Sequence, residues 1–136
     1  MELEMKSLSK NEMILFLKDN NYSSTLPNKI KCFGFYNNNN LIGVAGLYKI
    51  AWHTTEIRSI CVKHNERGKG VGKIIIRMLL NIIDTPLVSA TVVKENVASL
   101  KVFEFNGFNT VCKFVNRVTK HELFLLIRTI NLNKEE

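Results

Sequence analysis

The chain has 136 residues, of which 46% are hydrophobic and 23% charged, and its formal net charge is +7; this is typical of one soluble globular domain over residues 1–136. No apolar run approaches the roughly 18 residues of a membrane span, and the N-terminus lacks the basic start and apolar core of an export signal, so we expect a cytoplasmic protein without a membrane partner. The positive charge favours either a solubilising surface or an anionic partner, which would be a phosphate-bearing cofactor or a nucleic acid.

The first elements follow from local patterns. Residues 2–6 alternate weakly and predict a strand. Ser9 and Glu12 then form a capping box, which predicts a helix over residues 10–19. The polar stretch 20–30 contains a proline and predicts either a loop or a short irregular helix.

Three strands are predicted next. The apolar runs 31–36 and 41–50 flank four asparagines at 37–40. Asparagine tolerates left-handed backbone angles, so these runs predict a β-hairpin. Residues 54–62 predict a further strand, which the turn before it would bring back antiparallel to the hairpin.

The central part of the chain predicts two helices around a buried strand. A helix over 71–83 ends before Pro86, and the run 87–93 predicts the strand. A second helix over 97–106 has Asn96 as its N-cap and Gly107 just past its end.

The C-terminal part predicts two closing strands. Residues 109–117 and 121–129 would pair around a turn near 117–120, and the tail 131–136 would be frayed. The predicted order is β-α-β-β-β-α-β-α-β-β, without repeats or a linker. We therefore expect an α/β fold of the α+β type, in which helices pack on a mixed β-sheet.

The most informative stretch is "NERGKGVGKIIIRMLL", residues 65–80. Glycines alternate just before a predicted helix, and residues 63–73 carry four cations and one acid. Glycine lets backbone amides approach an anion, and a helix start adds unpaired N–H groups. The stretch matches neither a P-loop nor the GxGxxG fingerprint. The two interpretations are an anion-binding helix start and a tight turn with scattered basic residues.

Two segments together resemble the GNAT family of N-acetyltransferases. "SICVKHNERGKGVGKIII" contains the acetyl-CoA signature [R/Q]-x-x-G-x-[G/A] over residues 67–72, and "NVASLKVFEFNGF", residues 96–108, resembles the family's asparagine-led helix that ends in Gly-Phe. The resemblance covers the chain from about residue 31 onward. The region before it is shorter than usual, since the family has two helices there. That region shapes the acceptor site, so the resemblance does not identify the acceptor.

The resemblance implies a GNAT-like acyl-CoA N-acyltransferase fold, acetyl-CoA as co-substrate and no metal. The pyrophosphate would lie on residues 67–73, and the pantetheine arm would pair with the preceding strand, where a backbone N–H would polarise the thioester carbonyl. Asn96 would contact the cofactor arm, cap its helix, or do both. The implied cofactor-binding residues are Ile60, Cys61, Val62, Arg67, Gly68, Lys69, Gly70, Val71, Gly72, Lys73, Asn96 and Phe103.

The resemblance also points to Glu56 as the general base, since it lies six residues before Val62, as in the histone-type members. The amine must lose a proton before it attacks. Strand alternation puts Glu56, Arg58 and Ile60 on one face. Glu56 could instead pair with Arg58 or a surface lysine. His53 is a second candidate base, but it lies in a predicted turn where a surface role is favoured.

One position departs from the family. Phe103 stands where the family usually carries the tyrosine that protonates the departing thiolate. Either another donor such as Tyr48 replaces it, or water does, or activity is lost. Phe103 would also contact Phe108 and fix the end of its helix.

The cysteines indicate no further chemistry. Cys61 near the thioester invites an acyl-enzyme interpretation, but a buried strand cysteine is more often part of the core. The three cysteines form no Cys-x-x-Cys pair, and their odd number fits a reducing compartment. No side chains have the spacing of a metal site.

The sequence therefore predicts an acetyl-CoA-dependent N-acetyltransferase that moves the acetyl group directly to an amine. The alternatives are a catalytically weak GNAT-like module that binds CoA, and a GNAT-type enzyme acting on a nucleic-acid or protein amine. Nucleic acid is the less favoured partner because no aromatic-interleaved basic stripe is present. The acceptor amine stays open, and the protein would be a monomer or a homodimer.

Overall fold

The computed structural model describes residues 1–131, so most of the predicted frayed tail lies outside the described residues. The elements are β1 (Glu4–Leu8), α1 (Lys10–Asp19), β2 (Lys31–Asn37), β3 (Asn40–Ala51), β4 (Thr54–Val62), α2 (Val71–Ile82), β5 (Leu87–Val93), α3 (Val97–Phe105), β6 (Asn109–Val115) and β7 (Glu122–Thr129), with a 3₁₀ turn at His64–Glu66. This order confirms the predicted fold class. Among the described residues, no helix is long and apolar enough to cross a bilayer.

The N-terminal helix begins where its capping box places it. The Ser9 hydroxyl accepts from the Glu12 N–H at 3.1 Å, and the Glu12 carboxylate accepts from the Ser9 N–H at 3.1 Å. β1 lies two residues later than the predicted strand. Between α1 and β2 the described chain forms turns and no helix, so the loop alternative for residues 20–30 is the correct one.

The described strands form one seven-stranded sheet in the order β1-β2-β3-β4-β5-β7-β6. β4 and β5 pair in parallel, whereas the other neighbours are antiparallel. The turn between β2 and β3 is confirmed, because Asn38 and Asn39 have φ of 52° and 69°, the left-handed values that a tight hairpin turn requires.

Helices pack on both faces of the sheet. One apolar cluster packs under α2 and α3, and a smaller one packs under α1. Neighbouring residues of β3 belong to different clusters, since Val44 joins the α1 cluster and Ala45 joins the α2 cluster. A strand buried on both faces reads as a continuous apolar run, which explains the sequence of β3.

A β-bulge interrupts β4. Val44 of β3 pairs with Cys61 and Gly46 pairs with Arg58, so that Ser59 and Ile60 oppose one residue, and Ser59 has φ of 58°. The extra residue shifts the alternation of faces by one position.

The bulge overturns one expectation about the faces of β4. Ile57 and Ile60 both pack against the α2 cluster, whereas Cys61 packs in the α1 cluster. Glu56 and Ile60 therefore lie on opposite faces, and the prediction that they share a face is wrong.

The parallel pair β4 and β5 is joined only at its start. Residues 54–56 of β4 pair with residues 87–89 of β5. The buried hydroxyls of Thr55 and Thr85 hydrogen-bond at 2.8 Å, and Thr85 also donates to the Leu87 carbonyl at 2.8 Å. These bonds fix the root of the pair, and beyond Glu56 the two strands diverge.

Candidate active site

A cleft of about 740 Å³ lies beside the part of β4 that follows its pairing with β5. Its walls are the second half of β4, the loop that leads into α2, the face of α3, and the turn that follows α1. All the residues predicted to bind the cofactor border this cleft except Lys69. Glu56 also lies outside the lining. The structure thus brings residues from three separate segments of the chain, 20–22, 60–76 and 96–103, together around one cavity.

One end of the cleft is the N-terminus of α2. Gly70 is the N-cap, with φ of 84° and no side chain to cap the helix. The first intrahelical bond runs from the Ile74 N–H to the Gly70 carbonyl at 3.3 Å. The amides of Val71, Gly72 and Lys73 therefore have no acceptor within the helix, and with the positive end of the helix dipole they make a site that favours an anion.

Three of the four cations in residues 63–73 contact other groups of the protein. The Arg67 guanidinium donates from Nε to the Val62 carbonyl at 3.0 Å and from Nη2 to the Asn20 carbonyl at 3.4 Å. Lys69 pairs with Glu66 at 3.5 Å, and the Lys73 ammonium lies 4.3 Å from the centre of the Phe105 ring. Backbone amides are thus the donors that point most directly to an anion here.

The turn after α1 is joined to the same loop. The Asn20 side chain accepts from the His64 N–H at 2.9 Å, in addition to the Asn20 carbonyl contact with Arg67. Sequence reasoning did not identify Asn20, because a polar residue after a helix carries no signal of a contact more than forty positions away.

The β4 wall contains Ile60, Cys61 and Val62. Cys61 is 3% exposed. Burial raises the pKa of its thiol, and the Arg67 charge only partly opposes this. A thiol that stays protonated is a poor nucleophile, so the structure favours a core role for Cys61 over an acyl-enzyme.

The α3 wall combines structural and cleft-facing roles. The Asn96 side chain accepts from the Ser99 N–H at 3.2 Å, which confirms it as the N-cap, and both residues border the cleft. Phe103 is 6% exposed and packs edge-on against Phe108, with ring centroids 5.0 Å apart. Gly107 has φ of 87°, as its predicted place past the helix end requires.

Glu56 lies at the root of the divergence. It pairs in register with Tyr48 of β3 and with Ser89 of β5. Its side chain is 17% exposed, and Arg58 Nη1 lies 3.5 Å from its carboxylate. Burial raises the pKa of Glu56, while the Arg58 charge lowers it. The ion pair foreseen as an alternative therefore exists, and the carboxyl group is nevertheless more basic than an ordinary glutamate.

Of the three histidines, His53 reaches this root through its backbone, because its carbonyl accepts from the Leu87 N–H at 2.9 Å. His53 lies in the turn before β4, where its ring packs edge-on against Trp52 at 5.1 Å, and Trp52 is 79% exposed. His121 is exposed in the turn between β6 and β7. His64 borders the cleft at its loop end, where its backbone N–H donates to the Asn20 side chain.

Sequence reasoning also did not identify Tyr22 as a residue of the cleft. It borders the cleft from the turn after α1 and is 36% exposed. Burial raises the pKa of its phenol, and the Ser59 hydroxyl and the Arg58 charge lower it. Nothing in the spacing of residues 20–30 signals that this turn borders the cleft.

Within the described residues, no three side chains of histidine, cysteine, aspartate or glutamate cluster as a metal site would need.

Residues 1–108 match the family model described as the acetyltransferase (GNAT) family. The chain belongs to the GNAT acetyltransferase family. The match begins at residue 1, so the family likeness also covers the N-terminal region that the motif-based resemblance did not include. Acetyltransferases of the GNAT family use acetyl-CoA as co-substrate. No curated protein sequence matches the chain significantly.

Solved structures agree with the GNAT fold. An N-acetyltransferase from Staphylococcus aureus Mu50 has a TM-score of 0.79 and 21% identity, with 95% of this chain and 98% of that chain covered. The ribosomal-protein-S18-alanine N-acetyltransferase from Escherichia coli has a TM-score of 0.81 and 13% identity, with 99% and 98% covered. The spermidine/spermine N-acetyltransferase from Vibrio cholerae has a TM-score of 0.78 and 18% identity, with 94% and 92% covered. At these identities the likeness establishes the fold and leaves the acceptor open.

Proposed function

We propose that this protein is an acetyl-CoA-dependent N-acetyltransferase that moves an acetyl group directly from the thioester to an amine. The observation that carries the proposal is the cleft that opens where β4 leaves β5. The uncapped start of α2 lies at one end of this cleft, and the half-buried Glu56 carboxyl lies at the root of the divergence.

Different residues around the cleft would bind different parts of the cofactor. The amides at the start of α2 would hold the pyrophosphate, with the loop 67–70 wrapped beside it. Arg67 would contribute indirectly by holding the loop in place, because its guanidinium donates to the Val62 and Asn20 carbonyls. The exposed backbone edge of β4 over residues 60–62 would pair with the pantetheine arm, and Asn96 and Phe103 would contact it from α3.

The bulge supplies a means of polarising the thioester. A bulge leaves one residue of the strand without its ladder partner, here at Ser59 and Ile60. A backbone N–H freed in this way can donate to the thioester carbonyl as negative charge develops on its oxygen.

Glu56 would remove the proton from the amine. A free alkylamine has a pKa of about 10, so most of it is protonated at neutral pH and cannot attack. The raised pKa of Glu56 makes its carboxylate a better base than an exposed one. Arg58 would then orient the carboxylate through their ion pair.

A second candidate function follows from Phe103. Because Phe103 cannot donate a proton, the chain could be a GNAT module that binds CoA and turns over slowly or not at all. The acceptor is a separate question: the neighbours named above include enzymes for spermidine or spermine and for a ribosomal protein alanine, and this chain's acceptor would be a polyamine, a lysine, a protein N-terminus, an antibiotic or a nucleobase.

The test combines calorimetry with CoA and a thiol-release assay over those amine classes. CoA binding together with amine-dependent thiol release is the expected result. CoA binding without release from any amine favours the non-catalytic module. A folded protein that does not bind CoA contradicts both. Filter binding to nucleic acid over a salt titration tests the nucleic-acid acceptor separately.

A further inference from the structure

Part of the β-sheet lies outside both apolar clusters of the described chain. On β5, Val88, Ala90 and Val92 belong to the cluster under α2 and α3, so the residues that alternate with them point to the other side of the sheet. The strand register carries this second side across β7 to β6. We call it the open face, and its residues are Thr91, Val93, Cys112, Phe114, Leu123, Leu125 and Ile127.

The open face is apolar and accessible to solvent. Five of its seven residues are valine, leucine, isoleucine or phenylalanine, and among the described residues none of these five belongs to either apolar cluster. Thr91, Cys112 and Phe114 are exposed, with 41% for Phe114, and the other four are half-buried. An apolar surface of this kind gains free energy when a ligand covers it.

The open face begins beside Glu56. Glu56 pairs in register with Ser89, and Ser89 pairs with Ile127. Residues in register point to the same face of a sheet, so these three side chains form one row. Ile127 therefore lies two strand spacings, or about 10 Å, from Glu56. A molecule that rests on the open face can thus bring a nitrogen to the Glu56 carboxylate.

The dimensions of the open face suit a small molecule. From β5 to β6 it spans two strand spacings, or about 10 Å, and from Leu123 to Ile127 it spans about 13 Å. The flat area is on the order of 130 Å², whereas each partner of a stable protein complex buries about 800 Å². The open face alone is therefore too small to hold a second copy of the chain.

The charges around the open face favour a ligand with one cation. None of its seven residues is acidic. The carboxylate at its border is that of Glu56, and Arg58 Nη1 lies 3.5 Å from this carboxylate. A second positive charge on the ligand would be repelled by Arg58 and would lie against apolar side chains without a carboxylate to pair with.

We propose that the acceptor is a small amine with an apolar body and a single positive charge. The apolar body would lie on the open face while the nitrogen reaches Glu56. This inference rests on the proposed acetyl transfer and names the class of its second substrate.

The atoms and protons of the transfer balance for such an amine. Glu56 takes one proton from the ammonium group and passes it to water. The neutral nitrogen then attacks the thioester carbon, and the C–S bond breaks with its electron pair on sulfur. The second proton that the nitrogen sheds reaches the sulfur through water, so the products are the acetylated amine and the free thiol.

The first test compares amines in the thiol-release assay with acetyl-CoA. 2-Phenylethylamine should have a kcat/KM at least about tenfold above that of ethylamine, because ethylamine has the same kind of nitrogen and lacks the apolar ring. Spermidine should have a kcat/KM at least about tenfold below that of 2-phenylethylamine, because its extra charges find no partner. A tripeptide amide with a free N-terminus, which represents a protein acceptor, should also react more slowly than 2-phenylethylamine.

The second test changes the open face. Leu125→Ala should lower the ratio of kcat/KM for 2-phenylethylamine to that for ethylamine by about fivefold or more, with CoA binding as the check on folding. Thr91→Glu puts a carboxylate at an exposed position of the face and should lower the preference for 2-phenylethylamine over spermidine by about tenfold or more. Thr110→Glu is the matched control, since exposed Thr110 pairs with Leu126 on the opposite side of the sheet, and it should keep the wild-type preference.

Each other result overturns the inference. Equal kcat/KM values for 2-phenylethylamine and ethylamine, or an unchanged ratio in folded Leu125→Ala, show that the open face does not bind the acceptor. A preference for spermidine or for the tripeptide amide assigns another class of acceptor. A dimer in sedimentation that Thr91→Glu converts into a monomer assigns the face to a second copy. These results leave the acetyltransferase proposal intact, whereas CoA binding without acetylation of any amine contradicts the proposed function, and this inference with it.

Discussion

Gly70→Ala is the sharpest test of the anion-binding end of the cleft. Gly70 has φ of 84° and ψ of 9°, a left-handed conformation that costs an alanine about 1–2 kcal/mol. A Cβ built at Gly70 meets nothing within 4 Å, so the substitution creates no clash in the free protein. The free energy of unfolding should therefore fall by only about 1–2 kcal/mol, and the variant should fold.

The effect on CoA binding should be larger than this strain implies. The new methyl group would lie beside the uncapped amides of α2 and keep the pyrophosphate from approaching them. We expect the CoA affinity measured by calorimetry to fall by more than tenfold, or over ~1.4 kcal/mol. Gly70→Asp adds a negative charge at the same place and should lower the affinity further.

A second glycine separates strain from the loss of the site. Gly107 also has a left-handed φ, of 87°, and its Cβ would meet the flexible Arg128 side chain at 2.9 Å. Gly107 does not border the cleft. Gly107→Ala should thus lose stability to a similar or greater extent and keep its CoA affinity. If folded Gly70→Ala binds CoA as tightly as Gly107→Ala does, the start of α2 does not hold the pyrophosphate and the site assignment is wrong.

Three further predictions follow from the other walls. Glu56→Gln should lower kcat by about 10²–10⁴-fold with little change in CoA affinity. The deficit should shrink at high pH, because the amine loses its own proton there, and wild-type activity should fall as the pH drops through the raised pKa of Glu56. An equal deficit at every pH would indicate a structural role instead. A thiol reagent at neutral pH should modify exposed Cys112 well before buried Cys61, as peptide mass mapping would show, and equal rates would mean that β4 opens readily. Phe103→Ala should cost about 3–5 kcal/mol in urea unfolding, whereas a cost below 1 kcal/mol would show that its ring is not part of the core.

Local signals explain how much of the fold the sequence could predict. The capping box at Ser9, the asparagine turn between β2 and β3, and the Asn96 cap each act within about four residues. The glycine-rich helix start is equally local, because the positive φ of Gly70 and the free amides that follow it depend on neighbouring residues alone.

The missed features depend on contacts between distant segments. The bulge at Ser59 exists only in the pairing of β4 with β3, and one extra residue was enough to move Ile60 to the face opposite Glu56. Tyr22 reaches the cleft on the turn after α1, and Asn20 in the same turn contacts Arg67 across 47 positions of sequence. No periodicity of a single strand or helix encodes such contacts.

The fate of the acetyl group tests the central claim most directly. The protein would be incubated with acetyl-CoA carrying an isotope label in the acetyl group, together with each class of amine, and the products would be analysed by mass spectrometry. We expect the label on the nitrogen of at least one amine, in an amount equal to the free thiol released and dependent on Glu56. Intact acetyl-CoA with every amine, or label found only as acetate while the protein stays folded, would contradict the account.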